Sequence, residues 1–283
     1  MHACKLVCVH PSAPIGSAPT PPGCEVIAVA LQKGGVGKTT STINLAANLA
    51  LLGFRVLVID MDQQAHSTKG LGLRLGPDDA SMYEVLHPDR SMRVSLSEVI
   101  VTSTFNIDVA PADLAMRELE RTGLGSGGQL RLARQLDDLS GYDYVLLDCP
   151  PALGELTTAA LAAADYVLAV LKAGPDEVDG LVDLGNTIMD VQETLNPDIE
   201  IRYVLLADFD GRPQASRDVR TQLRADWGDW DDGGAYLGEI PHTVRAVEAK
   251  GKQVPIHVHA PTSTAALAYG DVARRMAERR RAA

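Results

Sequence analysis

Cysteine is scarce in this chain, and its placement rules out several chemistries. Of four cysteines, Cys4, Cys8 and Cys24 fall in or beside the first two dozen residues, and only Cys149 lies in the body. That excludes a disulfide framework, a cysteine-rich metal site and a cluster bridged by two cysteines per subunit, and it fits a reducing cytoplasm. No apolar run approaches the ~20 residues of a membrane span. The first 24 residues lack a charged start followed by a long apolar core, so no secretory signal is read there. Aromatic residues make up 4% of the chain and none interleaves with the arginines, so stacking on nucleobases is not expected. Positive charge is also short, with 26 Lys+Arg against 37 Asp+Glu and a net charge of −11. Taken whole, that balance argues against a polyanion partner.

What is present starts with Gln32–Thr40, Q-K-G-G-V-G-K-T-T. It follows the apolar run Val26–Leu31 and precedes a helix-like segment, Ser41–Leu52. Strand, glycine-rich turn and helix in that order form a cradle for polyphosphate. Gly34, Gly35 and Gly37 remove the Cβ atoms that would block the approach of phosphate to backbone N–H groups. Lys38 is placed to pair with the β- and γ-phosphates, Thr39 offers a hydroxyl to Mg²⁺, and Thr40 reaches the α-phosphate. The common form of the loop has glycine at position 32. Here Gln32 stands there, and a second lysine, Lys33, opens the turn. Lys33 starts on the wrong side of the turn to duplicate Lys38. Two readings stand: a cation reaching a phosphate on another subunit, or a solvated lysine.

Two apolar segments end in acids. Arg55–Asp62, R-V-L-V-I-D-M-D, brings Asp60 and Asp62 to a strand end, and strand alternation predicts both on one side. One carboxylate can order the Mg²⁺ shell and the other can orient a water. Tyr142–Pro151, Y-D-Y-V-L-L-D-C-P-P, ends in Asp148, expected to hold Mg²⁺ through water. Strand-like segments (Val26–Leu31, Val56–Asp60, Ile107–Ala110, Tyr144–Leu147, Tyr166–Leu171, Arg202–Ala207) alternate with helical ones. The alternation predicts an α/β fold, a doubly wound and mostly parallel sheet flanked by helices, of P-loop type. Residues 25–283 are expected to form one domain with a basic C-terminal helix. Residues 1–24, with five prolines, are read as a flexible extension.

The charge is unevenly spread. Residues 1–200 carry 13 Lys+Arg and 26 Asp+Glu; residues 201–283 carry 13 and 11. A local patch, not the total, decides phosphate contacts. Arg217, Arg220 and Arg224 have the spacing of one helix face. Arg212 precedes them, Arg245, Lys250 and Lys252 follow, and Arg274, Arg275, Arg279, Arg280 and Arg281 close the chain. The alternative for each cluster is a solvated helix face paired with nearby acids. Trp227 and Trp230, in an acidic loop, are read as local packing.

K-G-G-V-G-K-T-T resembles the deviant Walker A box of the ParA/MinD ATPases. D-M-D-Q-Q-A-H is similar to that family's D-x-D-P-Q-x-N segment, and D-C-P-P to its D-x-P-P box. D-G-R at Asp210–Arg212 and I-P-H-T-V-R-A-V-E-A-K-G-K at Ile240–Lys252 resemble DNA-contacting segments of the small, Soj-like ParA proteins. The resemblance covers about residues 25–280. It implies an ATPase of slow intrinsic turnover, with ATP and Mg²⁺ as cofactors and an ATP-dependent homodimer. Lys33 would cross to the partner's nucleotide. Lys33, Lys38 and Asp62 would be catalytic, with Asp62 placing the water. Lys33, Gly34, Gly35, Val36, Gly37, Lys38, Thr39 and Thr40 would hold the phosphates, and Asp208 and Pro241 the adenine. Thr39, Asp60, Asp62 and Asp148 would serve Mg²⁺. Arg212, Arg217, Arg245 and Lys250 would bind DNA without sequence preference, and a ParB-like protein would stimulate hydrolysis. The place implied is the nucleoid in the cytoplasm, with no membrane partner. Gln63 replaces the family's proline, and His242 replaces its first arginine in the second DNA segment. A MinD-like membrane ATPase needs bulky apolar residues in the last helix, and Ser263–Ala283 has few. A positioning ATPase for a non-DNA cargo would share all the chemistry.

Overall fold

A computed structural model describes residues 23–282. The expected extension lies outside them except for Gly23 and Cys24, and Cys24 already packs half-buried against the core. The strands are β1 (Glu25–Ala30), β2 (Val56–Asp60), β3 (Val101–Thr102), β4 (Asp108–Ala110), β5 (Tyr144–Asp148), β6 (Tyr166–Leu171), β7 (Glu200–Phe209) and β8 (Tyr236–Pro241). They form one sheet in the order β3-β4-β2-β5-β1-β6-β7-β8. All pairs are parallel except β3–β4. Strands covered on both faces need apolar residues at every position, which is why β1, β2 and β5 read as continuous runs.

The longer helices are α1 (Lys38–Leu51), α7 (Glu155–Ala163), α8 (Pro175–Thr194), α9 (Gln214–Trp227), α10 (Val244–Lys252) and α12 (Thr264–Ala282). Shorter ones are α2 (His66–Gly70), α3 (Met82–Leu86), α4 (Leu96–Val99), α5 (Met116–Thr122), α6 (Arg131–Asp137) and α11 (Ile256–His259). The two sheet faces carry separate cores. Ile27, Val29, Val58 and Leu146 face Leu45, Leu49, Val272 and Met276 of α1 and α12. Ala28, Ile59, Leu147 and Leu206 face Leu156, Leu184 and Leu223 of α7, α8 and α9. Deleting one such leucine side chain costs about 2–5 kcal/mol.

The winding places the site. The chain leaves β1 into α1 on one face and leaves the adjacent β5 into α7 on the other. The crevice at the carboxyl ends of these neighbours is where ligands bind in open α/β sheets. The C-terminal region is tied to α1 there. Asn44 Oδ1 accepts the Ile256 N–H at 2.7 Å, and the Ser41 and Tyr269 hydroxyls lie 3.2 Å apart.

Candidate phosphate cradle and polyanion surface

The loop between β1 and α1 turns through two left-handed glycines, Gly35 (φ 77°) and Gly37 (φ 106°). A Cβ on Gly37 would stand 3.1 Å from Ala207 Cβ at the end of β7, so glycine is needed there twice over. Around Gly34 and Gly35 a Cβ would meet nothing within 4 Å. The loop therefore opens onto free space at these two glycines. Gly37 caps α1 with no side chain, which leaves the first-turn N–H groups of α1 for a ligand. Val36 is buried and fixes the loop from below, while Thr39 and Thr40 stand half-buried on the first turn.

Lys38 is 6% exposed, and its ammonium curls back to the carbonyls of Leu31 (3.0 Å) and Lys33 (2.9 Å). Burial lowers its pKa, and Asp148, Cys149 and Asp62 oppose that shift. Lys33 is half-buried, with its N–H on Leu31 O. An open nest of N–H groups with a lysine at its base fits a polyphosphate.

Asp60 and Asp148 are register partners on β2 and β5, and both are fully buried. Burial raises the pKa of each, and their mutual repulsion adds to it for Asp60. Asp60 is engaged by the protein: Oδ2 accepts from Thr68 N and Oγ1, both at 2.8 Å, and Oδ1 from Asp62 N at 3.1 Å. Asp148 accepts from Ser67 Oγ at 2.6 Å and Thr42 Oγ1 at 3.3 Å. Strand alternation does not extend to Asp62, because β2 ends at Asp60. Asp62 instead opens a turn, Oδ1 accepting from Gln64 N at 2.9 Å. Among the described residues no three His, Cys, Asp or Glu side chains form a closed metal cage. That donor set fits Mg²⁺, which takes one or two protein oxygens and completes its shell with phosphate and water.

On the other flank, Asp208 sits in a left-handed conformation (φ 53°) after Ala207. Partial burial would raise its pKa, but Lys172 Nζ at 2.8 Å and His242 Nδ1 at 2.7 Å lower it overall. Pro241 ends β8 opposite Phe209, so the two residues expected at the adenine lie on adjacent strand ends. β8 was not among the strands read from sequence.

The arginines separate into two groups. Arg212 is 86% exposed and grips Asp210 with Nε and Nη2, holding that carboxyl down at about 2. Arg217 donates to the carbonyls of Gly211 (2.8 Å) and Arg212 (2.6 Å), and so braces the loop before α9. Arg245, exposed on α10, pairs with Glu248 at 2.8 Å. Lys250 stands apart from these. It lines a cavity of about 200 Å³ with Thr39, Thr40, Asn44, His66 and Lys69, against the cradle. The last helix reads differently from a free basic cluster. Arg275 donates to Leu237 O, Arg279 to Arg202 O and Gly234 O, and Arg280 to Asp143 O. Sequence reasoning also missed Ser67, whose partner Asp148 lies 81 residues away, and Thr68, whose partner Asp60 ends the strand just before it.

An AAA domain model matches residues 24–201. The sporulation initiation inhibitor protein Soj of Bacillus subtilis is 37% identical over 256 residues, covering 89% of this chain and 98% of that protein. The chromosome partitioning protein ParA of Caulobacter vibrioides is 36% identical, covering 91% of this chain and 95% of that protein. Among solved structures, cobyrinic acid a,c-diamide synthase from Mycobacterium smegmatis, with a bound ATP analogue and magnesium, superposes with a TM-score of 0.74. It is 30% identical, covering 90% of this chain and 95% of that one.

Proposed function

Because the chain belongs to the ParA/MinD family of P-loop ATPases, close to its Soj-like partition proteins, and is an ATPase using ATP and Mg²⁺, we propose that it is a partition switch on DNA. In this reading the N–H groups of Gly34, Gly35, Gly37 and Lys38 cradle the phosphates, and the Lys38 ammonium leaves its loop carbonyls for the β- and γ-oxygens. Thr39 offers its hydroxyl to the metal, and Asp148 orders the metal's waters. Asp60, spent on Thr68 and Asp62, supports that shell from behind. When bound, Mg²⁺ neutralises charge gathering on the β- and γ-oxygens. Asp62 orients the attacking water. Asp208 and Pro241 border the base.

Two chains then close face to face, and Lys33 of each reaches the other's nucleotide. The closed dimer holds DNA of any sequence through Arg212, Arg245 and Lys250, with Arg217 bracing the Arg212 loop. Hydrolysis releases the DNA, and a ParB-like protein raises its rate. The site of action is the nucleoid in the cytoplasm. A MinD-like reading is less favoured: no described helix is long and apolar enough to cross a membrane, and Tyr269, Val272 and Met276 of α12 are buried against the sheet.

The observation that carries the DNA reading is the shared wall of the cavity. Thr39 and Thr40 of the cradle lie on one side, and Ala246, Ala249 and Lys250 of α10 on the other. In this reading the helix bearing Arg245 and Lys250 would border a nucleotide held at Thr39 and Thr40, and nucleotide state would set its exposure to DNA. The test is binding to a random-sequence duplex with ATP, with ADP and with no nucleotide across a salt series. Binding only with ATP, weakening steeply as salt rises, is expected. No binding in any state would remove DNA and leave a non-DNA cargo, or a synthase-like substrate, to be sought.

A further inference from the structure

We propose that Ser67 is a positioning residue for the Mg²⁺ step, tying α2 to the Asp148 carboxylate and so setting the place of Asp62. This rests on the assignment of Asp148 to the metal's shell made above.

Four observations meet at this serine. Ser67 and Asp148 are both fully buried, and Ser67 Oγ donates to Asp148 Oδ2 at 2.6 Å. A hydroxyl–carboxylate bond of that length between buried groups is of the strong, charge-assisted kind. The same turn of α2 is tied to the neighbouring acid, since Thr68 N and Oγ1 both reach Asp60 Oδ2. The two carboxylates at adjacent strand ends thus grip two consecutive residues of one five-residue helix. That helix is further held by Thr68 Oγ1, which accepts from Ala112 N at 3.0 Å, and by Gly70 packed against Ile43 of α1. Its N-cap, Ala65, is left-handed (φ 52°) and offers no side-chain cap.

The consequence reaches Asp62 through the backbone. Ala65 N donates to Asp62 O at 2.8 Å, and Gln64 N to Asp62 Oδ1 at 2.9 Å. Asp62 and α2 therefore share one tight turn. On Asp148, Ser67 takes Oδ2 while Thr42 takes Oδ1. The carboxylate is held between the first turns of α1, through Thr42, and the segment that carries Asp62. Removing the Ser67 hydroxyl takes away the donor on Asp148 Oδ2, leaving Thr42 on Oδ1, and removes the tie between α2 and β5. Among the described residues no hydrogen bond joins Ser67 directly to the loop 34–38, so the phosphate cradle is expected to keep its shape.

The test compares Ser67→Ala, Ser67→Thr and Asp148→Asn in the full chain. ADP affinity is measured by calorimetry with and without Mg²⁺, and backbone hydrogen exchange is followed over residues 62–72. For Ser67→Ala, Mg²⁺-free ADP affinity is expected to be unchanged. The gain from Mg²⁺ is expected to fall about tenfold, the scale of one hydrogen bond to a charged group. Exchange over 62–72 is expected to quicken, and kcat for ATP to fall with KM little changed. Ser67→Thr, which keeps the hydroxyl, should restore all of these. A Ser67→Ala protein with wild-type Mg²⁺ dependence and exchange would overturn the proposal. So would loss of Mg²⁺-free binding in parallel, which would make Ser67 a general support of the fold. If Asp148→Asn leaves Mg²⁺ dependence intact, the metal assignment itself fails.

Discussion

At Glu25 the sheet spends a carboxylate where an apolar residue would be expected. Glu25 opens β1, is 9% exposed, and pairs in register with Tyr144. Its Oε2 has no hydrogen-bond partner among the described residues, nor do the buried hydroxyls of Tyr144 and Tyr203. Burial raises its pKa above the ordinary 4.5, although Arg202, Arg280 and Arg279 pull the other way. A raised folded-state value means the folded chain holds this proton more tightly than the unfolded one. The associated stability is complete below the unfolded pKa and is lost as pH rises through the folded value. Glu25→Gln should therefore raise the melting temperature at pH 8 by about 2–4 °C, the effect of about 1 kcal/mol in a chain of this size. The difference should vanish by about pH 4, where both side chains are neutral. An equal shift at both values would assign the effect to packing alone.

Among the elements, α12 departs furthest from what its composition suggests. Its arginines look like a basic tail, yet three of them staple the helix to the sheet. Arg279 spans Arg202 O (3.2 Å), Gly233 O (3.1 Å) and Gly234 O (2.7 Å), with its guanidinium 4.3 Å from the centre of the Trp230 ring. Arg274, five residues earlier, is exposed and pairs with Asp271. Arg279→Ala is expected to cost about 1–3 kcal/mol, because it strands carbonyls that lose their donor. Arg274→Ala should change stability by less than about 1 kcal/mol, as exposed pairs do. Denaturant melts followed by Trp230 emission would separate the two, and neither variant should alter DNA affinity. Equal losses would return Arg279 to the solvated face. The same contrast explains what was legible in the sequence. The β1 loop, the acids ending β2 and β5, and the alternation of strands were readable because each is local or follows from burial on both faces. The strand β8, half-buried with Gly238 at φ 119°, and the two-residue β3 carry no such pattern. The partners of Ser67, Thr68 and Arg279 are 81, 8 and up to 77 residues away, on strands whose order no local spacing encodes.

For the molecule as a whole, association works against charge. Each chain carries −11 overall, with the acids concentrated in residues 1–200. Bringing two such chains together face to face raises the density of like charge, and nucleotide phosphates at the joint add to it. A dimer of the proposed kind therefore needs cations at its seam. Lys38 is already committed inside its own loop, 2.9 Å from Lys33 O. Lys33 is half-buried at the loop's entrance, and its backbone carbonyl, which an alanine keeps, accepts from Lys38. Removing the Lys33 side chain should thus leave nucleotide binding in place and remove the closure. Lys33→Ala is expected to bind ATP with an affinity within about threefold of the parent, a change below about 1 kcal/mol. By light scattering it should keep the mass of one chain where the parent doubles with ATP. A variant that still doubles would show the seam to be held by other groups and would withdraw the trans role of Lys33. A variant that loses ATP binding as well would place Lys33 in its own subunit's cradle.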